Sequence, residues 1–301
     1  MVLAAVLAGV FATLPLATPA DEPGPLTRLD TGDDTRVWEA VGRLNLGDTG
    51  FCTGALISER LVLTAAHCLY DSETGARIAP DEIEFLAGLR GGRAEAYRGV
   101  RRAVTHPEYE FSSDVELDRV AVDLALLELD RPIRTGRIEA FPIAYGPMEG
   151  EPVGVVSYAK DRSEAPSLQR TCHVLEAKRG VAMLSCSVDF GASGAPVFRF
   201  GSDGPVIVTV VSAKADAEGE RVSLASGFGA RFAEVKAALD TAPAGAFWRD
   251  GPLATERDGT TAETEARETV LPGTLNGGDV RLRRLGTGSD AGSSTAKFVR
   301  P

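Results

Sequence analysis

Short apolar runs, each closed by Gly, Pro, Asp or Ser, recur along the chain from about Asp30 to Asp240. Clear cases are "GALIS", "LVLTAAH", "EIEFLAG", "YRGVRRAV", "VDLALLEL" and "EPVGVVSYA", then "RTCHVLEA", "VAMLSCSV", "APVFRF" and "PVIVTVVSA". Runs of this length between turn residues predict short strands. Many such strands in succession predict an all-β sandwich or barrels. One stretch breaks the rhythm. In "ARFAEVKAALD", Phe232, Val235 and Leu239 recur at roughly helical spacing, which predicts a helix closing the folded region. Residues 241–301 are rich in Gly, Thr, Ala and charged residues and hold few large apolar side chains. They are expected to form a largely disordered tail, because they cannot bury much core. Within them "GDVRLRRL" could make a strand, but its basic run is expected to be solvated.

Composition narrows the picture. The chain has 301 residues, room for one large or two small cores. Its net charge of -11 argues against a nucleic-acid partner, since phosphate affinity comes from clustered Lys and Arg. The run from Val2 to Leu16 in "MVLAAVLAGVFATLPLATPA" is apolar, with small residues and a proline after it. It reads as a secretory signal over residues 1–20, cleaved after Ala20, although no Lys or Arg precedes it. Such a run is short for a membrane span of ~20 residues. The expectation is a secreted or periplasmic protein that is free of the membrane once the signal is removed. Four cysteines, Cys52, Cys68, Cys172 and Cys186, suggest two disulfides in an exported chain, with three pairings open. No C-x-x-C spacing supports a zinc site, so no metal is expected.

Three places carry candidate chemistry. His67 ends the apolar strand "LVLTAAHCL", where a polar ring must find a partner or a task. Asp123 opens the apolar run of "VDLALLEL", where a carboxylate is costly unless hydrogen-bonded. Ser193 lies in "DFGASGAPVF" between Gly191 and Gly194, and Gly191 lets the backbone approach a ligand closely. Alone, each has a bland reading: a satisfied core histidine, a strand-end cap, a small residue in a turn.

Together, "CTGALISERLVLTAAHC", "DLALL" and "GASGAPV" resemble the signature blocks of trypsin-like serine proteases of the chymotrypsin fold. They look most like a compact bacterial branch that includes V8-like glutamyl endopeptidases. The order His, Asp, Ser is that of this family, and differs from the subtilisin and α/β-hydrolase orders. The resemblance covers about residues 35–240. It implies two six-stranded antiparallel β-barrels, about 37–135 and 136–230, with a C-terminal helix at 230–240, and residues 21–36 as a pro or linker segment. It implies His67 as general base, Asp123 as its partner, Ser193 as nucleophile, and the N–H groups of Gly191 and Ser193 as an oxyanion hole. It also implies disulfides Cys52–Cys68 and Cys172–Cys186, and His106 of "VTHPEY" as a structural residue. Ser187, Val211, Ser212 and Ala213 would contact the substrate, a protein or peptide. No cofactor is implied, and a monomer is expected.

Two departures bear on function. Ala192 stands where zymogen-type relatives carry an aspartate for a new N-terminus, and no I-V-G-G-like start is seen near residue 37. Activation by N-terminal insertion is therefore not expected. Ser187 is not the aspartate of a Lys/Arg-specific pocket, and Val211 stands where glutamyl endopeptidases place a histidine. A small or medium apolar preference is expected instead, with Asp189 close enough to add charge. The reading is a secreted serine endopeptidase. The alternative is a catalytically silent protease-like binding or scaffold protein. An esterase on another fold is disfavoured, because Ala195 breaks G-x-S-x-G.

Overall fold

After a short β1 (Leu26–Arg28), six strands close the first barrel. The ring begins with β2 (Val41–Leu46) and β3 (Phe51–Ser58). It continues through β4 (Leu61–Thr64), β7 (Ala125–Leu129), β6 (Ala96–Thr105) and β5 (Ile83–Ala87), which returns to β2. These strands follow the apolar runs of the sequence, and all their pairings are antiparallel. Leu44, Leu46, Leu63, Phe85 and Leu126 of these strands are fully buried in the large core cluster that reaches across both barrels. The computed structural model describes residues 23–112, 116–134, 136–217, 219–242 and the backbone of 280–284. The expected signal segment lies outside the described residues.

The second barrel is built from β8 (Pro152–Ala159), β9 (Arg162–Lys178), β10 (Val181–Leu184), β13 (Glu220–Ala225), β12 (Gly204–Ala217) and β11 (Pro196–Gly201). Because β8 pairs with both β9 and β11, this ring closes too. The double barrel expected from the resemblance is thus the observed fold. The connection between the barrels is pinned to both. The Phe141 N–H donates to the Leu56 carbonyl at 2.9 Å, and the Ala144 N–H to the Ile207 carbonyl at 2.9 Å. Trp38, Phe141 and Phe198 pack in the same seam, with ring centroids 4.7 to 6.0 Å apart. Aromatic contacts at such spacings add about 0.5–1.5 kcal/mol per pair beyond area burial.

β3 shows why the sequence pattern here is continuous rather than alternating. Its first six residues are all buried, since one face fills the first barrel and the other meets the second. The predicted helix is α3 (Ala230–Thr241), after the short α1 (Gly32–Thr35) and α2 (Leu117–Ala121). Val235 and Leu239 turn into the first barrel's core. His106 reaches α3 as well. Its Nδ1 accepts from the Glu108 N–H at 3.2 Å, so its Nε2 carries the proton, 2.5 Å from Glu234 Oε2. His106 is buried, so it has a structural place here.

At the two ends the structure adds order that the sequence does not advertise. Residues 23–36, expected as a pro or linker segment, are docked onto the second barrel. β1 adds to β9, with Leu26 opposite Gln169, and Leu29 is buried behind it. A capping box between Thr31 and Asp34 then starts α1. In the tail, β14 (Val280–Arg284) pairs antiparallel with β12. These five residues of "GDVRLRRL" form a strand because a sheet edge supplies the hydrogen bonds that the segment lacks alone. The remainder of residues 243–301 lies outside the described residues.

Both disulfides join neighbours in sequence, Cys52 to Cys68 across 16 residues and Cys172 to Cys186 across 14. Replacing Cys52 and Cys68 together by Ala should lower stability by about 3 kcal/mol, the chain-entropy value for such a loop. Urea denaturation of the double variant checks this, and an unchanged midpoint would show that the bond constrains little.

Candidate active site

His67 sits in a single 3-10 turn, Ala66–Leu69, directly after β4. The turn is locked from below by the Cys52–Cys68 bond to β3. Asp123 follows α2 and lies just before β7, so its carboxylate comes from the neighbouring strand of the same barrel. The two side chains are only 4% and 5% exposed. The His67 N–H donates to Asp123 Oδ1 at 2.8 Å, and His67 Nδ1 lies 2.7 Å from Oδ2. Burial alone would raise the Asp123 carboxyl. The charge of His67, the ring hydrogen bond, the Ser212 hydroxyl and the His67 N–H outweigh it and hold the group below its ordinary value. An ionised Asp123 can only accept, so the Nδ1–H donates to it, which leaves Nε2 as the lone-pair nitrogen whenever the ring is neutral.

That second nitrogen is the telling one. His67 Nε2 is buried and has no hydrogen-bond partner among the described residues. A buried polar atom left without a partner calls for an explanation, and catalytic use is one. The sulfurs of Cys52 and Cys68 lie near the ring, but they are bonded to each other and offer no thiolate for a metal.

Ser193 lies in the loop before β11 and is wholly buried. The loop is pressed onto the part of the first barrel that leads into His67. A Cβ on Gly194, at φ +74°, would overlap Thr64 Oγ1 and fall 2.8 Å from the Ala65 nitrogen. A Cβ on Gly191, at φ +91°, would overlap the Phe51 ring. Only glycine fits either place. Thr53 of β3 ties the loop down: its N–H donates to the Ser193 carbonyl at 2.9 Å and its hydroxyl to the Gly191 carbonyl at 2.8 Å. The Gly194 N–H in turn reaches the Val211 carbonyl at 2.8 Å.

The residues expected to touch substrate divide. The Ser212 hydroxyl donates to Asp123 Oδ2, so it completes the carboxylate's partners from the second barrel. Val211 is buried in that barrel's core cluster, and Ala213 packs in a smaller cluster beside it. Ser187 is exposed, its N–H held by Gln169 Oε1 at 2.7 Å. Asp189 is engaged by Lys214 Nζ at 3.0 Å. Burial pushes the Asp189 carboxyl up, but Lys214, the Phe190 N–H and Arg162 bring it below its ordinary value. Ala192 is buried, its N–H on the Asp189 carbonyl. Sequence reasoning missed Thr53 and also Ser226, whose hydroxyl donates to the Asp123 carbonyl at 2.8 Å. A Thr early in an apolar strand, and a Ser just after one, carry no distinguishing pattern in sequence.

The trypsin family model matches residues 32–237. Among curated proteins, a trypsin of Phaedon cochleariae is 30% identical over 132 residues, covering 42% of this chain and 46% of that protein. Kallikrein-10 of Homo sapiens is 37% identical over 97 residues, 31% of this chain and 33% of its own. The matched stretch thus spans less than half the length of these relatives. Among solved structures, a Glu endopeptidase aligns with a TM-score of 0.58 at 17% identity, covering 73% of this chain and 99% of that one. A thermostable serine protease from an extremophile aligns at 0.53 and 19%, covering 67% and 98%. At such identities these two establish the fold alone.

The depressed Asp123 carboxyl makes a prediction about acid stability. A carboxylate held low in the folded state stabilises above its ordinary value of 3.8, and that contribution is lost as pH falls through the folded value. Asp123→Asn should therefore cost most stability near neutrality, and the gap from wild type should narrow below about pH 4. Urea midpoints measured from neutral to acid pH test this; a gap that widens on acidification would reverse the assignment.

Proposed function

We propose, from the premise that the chain belongs to the trypsin family, that it is a secreted serine endopeptidase working through His67, Asp123 and Ser193. The observation that carries this reading is the oriented imidazole. Its Nδ1 is held by an ionised Asp123, its Nε2 is buried without a partner among the described residues, and the Ser193 loop packs onto Thr64 and Ala65, just ahead of His67 in the chain. In this reading the Ser193 hydroxyl attacks the carbonyl carbon of the scissile peptide. Nε2 takes the hydroxyl proton as the C–O bond forms. The oxyanion is received by the Gly191 and Ser193 N–H groups, where each donor is worth about 3 kcal/mol in comparable sites. The imidazolium then hands its proton to the leaving amine, giving an acyl-enzyme and the first product. Water, deprotonated by the same nitrogen, releases the acid and restores Ser193.

Competence would not await an inserted N-terminus. Thr53 and the two glycines already order the loop, and buried Ala192 offers no charge for an ammonium to meet. For the residue on the acyl side of the cleaved bond we favour an uncharged side chain. The carboxylate that could attract a base, Asp189, is taken by Lys214. Two disulfides support an oxidising compartment. Among the described residues no helix is long and apolar enough to cross a membrane. One copy holds all the proposed groups, which fits a monomer acting on peptide or protein substrates.

A fluorophosphonate probe should label the purified protein at Ser193, and Ser193→Ala should abolish labelling. Ser193→Ala and His67→Ala should each lower kcat/KM on a peptide library by about 10⁴-fold or more. A folded wild type that neither labels nor cleaves any peptide would favour the silent binding protein instead.

A further inference from the structure

β12 changes partners where it passes the proposed site. β11 accompanies it only as far as Val210, which lies opposite Pro196. Next come Val211, whose carbonyl holds the Ser193 loop through Gly194, and Ser212, which holds Asp123. From Ala213 to Ala217 one edge of β12 is taken by β13, with Ala213 opposite Leu224 and Ala217 opposite Glu220. The other edge is the one β11 has left. A strand edge of this kind presents unpaired N–H and C=O groups and receives an extended peptide by strand addition. It starts one residue from Ser212, so an antiparallel peptide laid on it would run towards Ser193.

That edge is occupied by the chain itself. β14 pairs with it over five residues, from Val280 opposite Ala217 to Arg284 opposite Ala213, and its direction brings its C-terminal end to the site. In that register Arg281 stands opposite Asp216 and Arg283 opposite Lys214. This is a basic segment in a chain of net charge -11. The stretch of sequence between residues 242 and 280 could span about 120 Å at full extension, so reach does not limit the pairing.

We propose that residues 280–284 compete in cis for the edge of β12 that an extended peptide substrate needs, so that a substrate must displace β14 to be cut. This rests on the endopeptidase reading above. Tethering makes β14 binding intramolecular, so even a weak strand holds the edge at a local concentration no dilution reduces. The segment acts as a built-in competitor and sets KM rather than the chemistry at Ser193.

The test compares the full-length wild type with the full-length double variant Arg281→Pro/Leu282→Pro. Adjacent prolines remove a β12-facing N–H whichever of the two faces it. In the variant, KM for a peptide with several residues before the scissile bond should fall about tenfold with kcat unchanged. Turnover of a single-residue ester, which does not use the edge, should not change. A synthetic peptide of residues 278–286 should inhibit the variant competitively and the wild type far less. Hydrogen exchange at Ala213–Ala217 should be slow in the wild type and faster in the variant. Equal KM and equal exchange in two proteins that both label at Ser193 would overturn the competitor while leaving the peptidase. If neither protein labels, the peptidase reading fails, and exchange alone still decides whether β14 holds the edge.

Discussion

Everything at the site depends on keeping one carboxylate charged where there is almost no water. Asp123 is nearly fully buried, and an uncompensated ion in that place would cost several kcal/mol. Three donors meet its two oxygens: the His67 N–H and Nδ1 from the first barrel, and the Ser212 hydroxyl from the second. Ser226, also from the second barrel, binds its carbonyl. The two barrels therefore cannot drift apart without stripping the carboxylate. The same contacts fix the tautomer of His67, so the stability problem and the proposed catalytic geometry have one solution.

The Ser193 loop is governed by a different constraint, steric rather than electrostatic. Gly191 and Gly194 both have positive φ and both abut first-barrel atoms that a Cβ would overlap. Thr53 then commits its N–H and hydroxyl to the loop's carbonyls. Since Thr53 adjoins Cys52, the disulfide that braces the His67 turn also braces the strand that holds the loop. The proposed nucleophile and base are thus referred to the same short piece of β3.

The sequence carried the parts of this that repeat in pattern and not those that depend on meeting across the cleft. Short bounded apolar runs mark the strands, and the helical spacing of Phe232, Val235 and Leu239 marks α3. His67, Asp123 and Ser193 stood out because each is a polar group in an apolar or glycine-rich setting. Thr53 and Ser226 did not, because a hydroxyl whose partner lies 138 or 103 positions away leaves no local trace. Ser212 stood out as a substrate contact, and the role its hydroxyl has in the structure is to hold Asp123. The ends were hard to read for a related reason. Residues 23–36 and 280–284 have too few apolar residues to fold alone, and each takes its order from a sheet edge that only the assembled second barrel provides.

Ala192 and β14 then bear on the same question, where control over such a site would reside. With alanine buried in a loop that Thr53 already ties down, the proposed enzyme would need no salt bridge at that position. A site that is always assembled can still be regulated by access. The edge of β12 is the natural point for that, because it is the stretch of the second barrel beside Ser212 that β11 does not cover. Strand pairing there disturbs no core packing and is reversible on the scale of a few hydrogen bonds, each worth about 1 kcal/mol net. A substrate that brings more pairs, or better side-chain contacts, can win the edge from a five-residue strand. Control of this kind would grade substrates by how well they extend along β12, and would make the tail part of the specificity rather than an appendage to it.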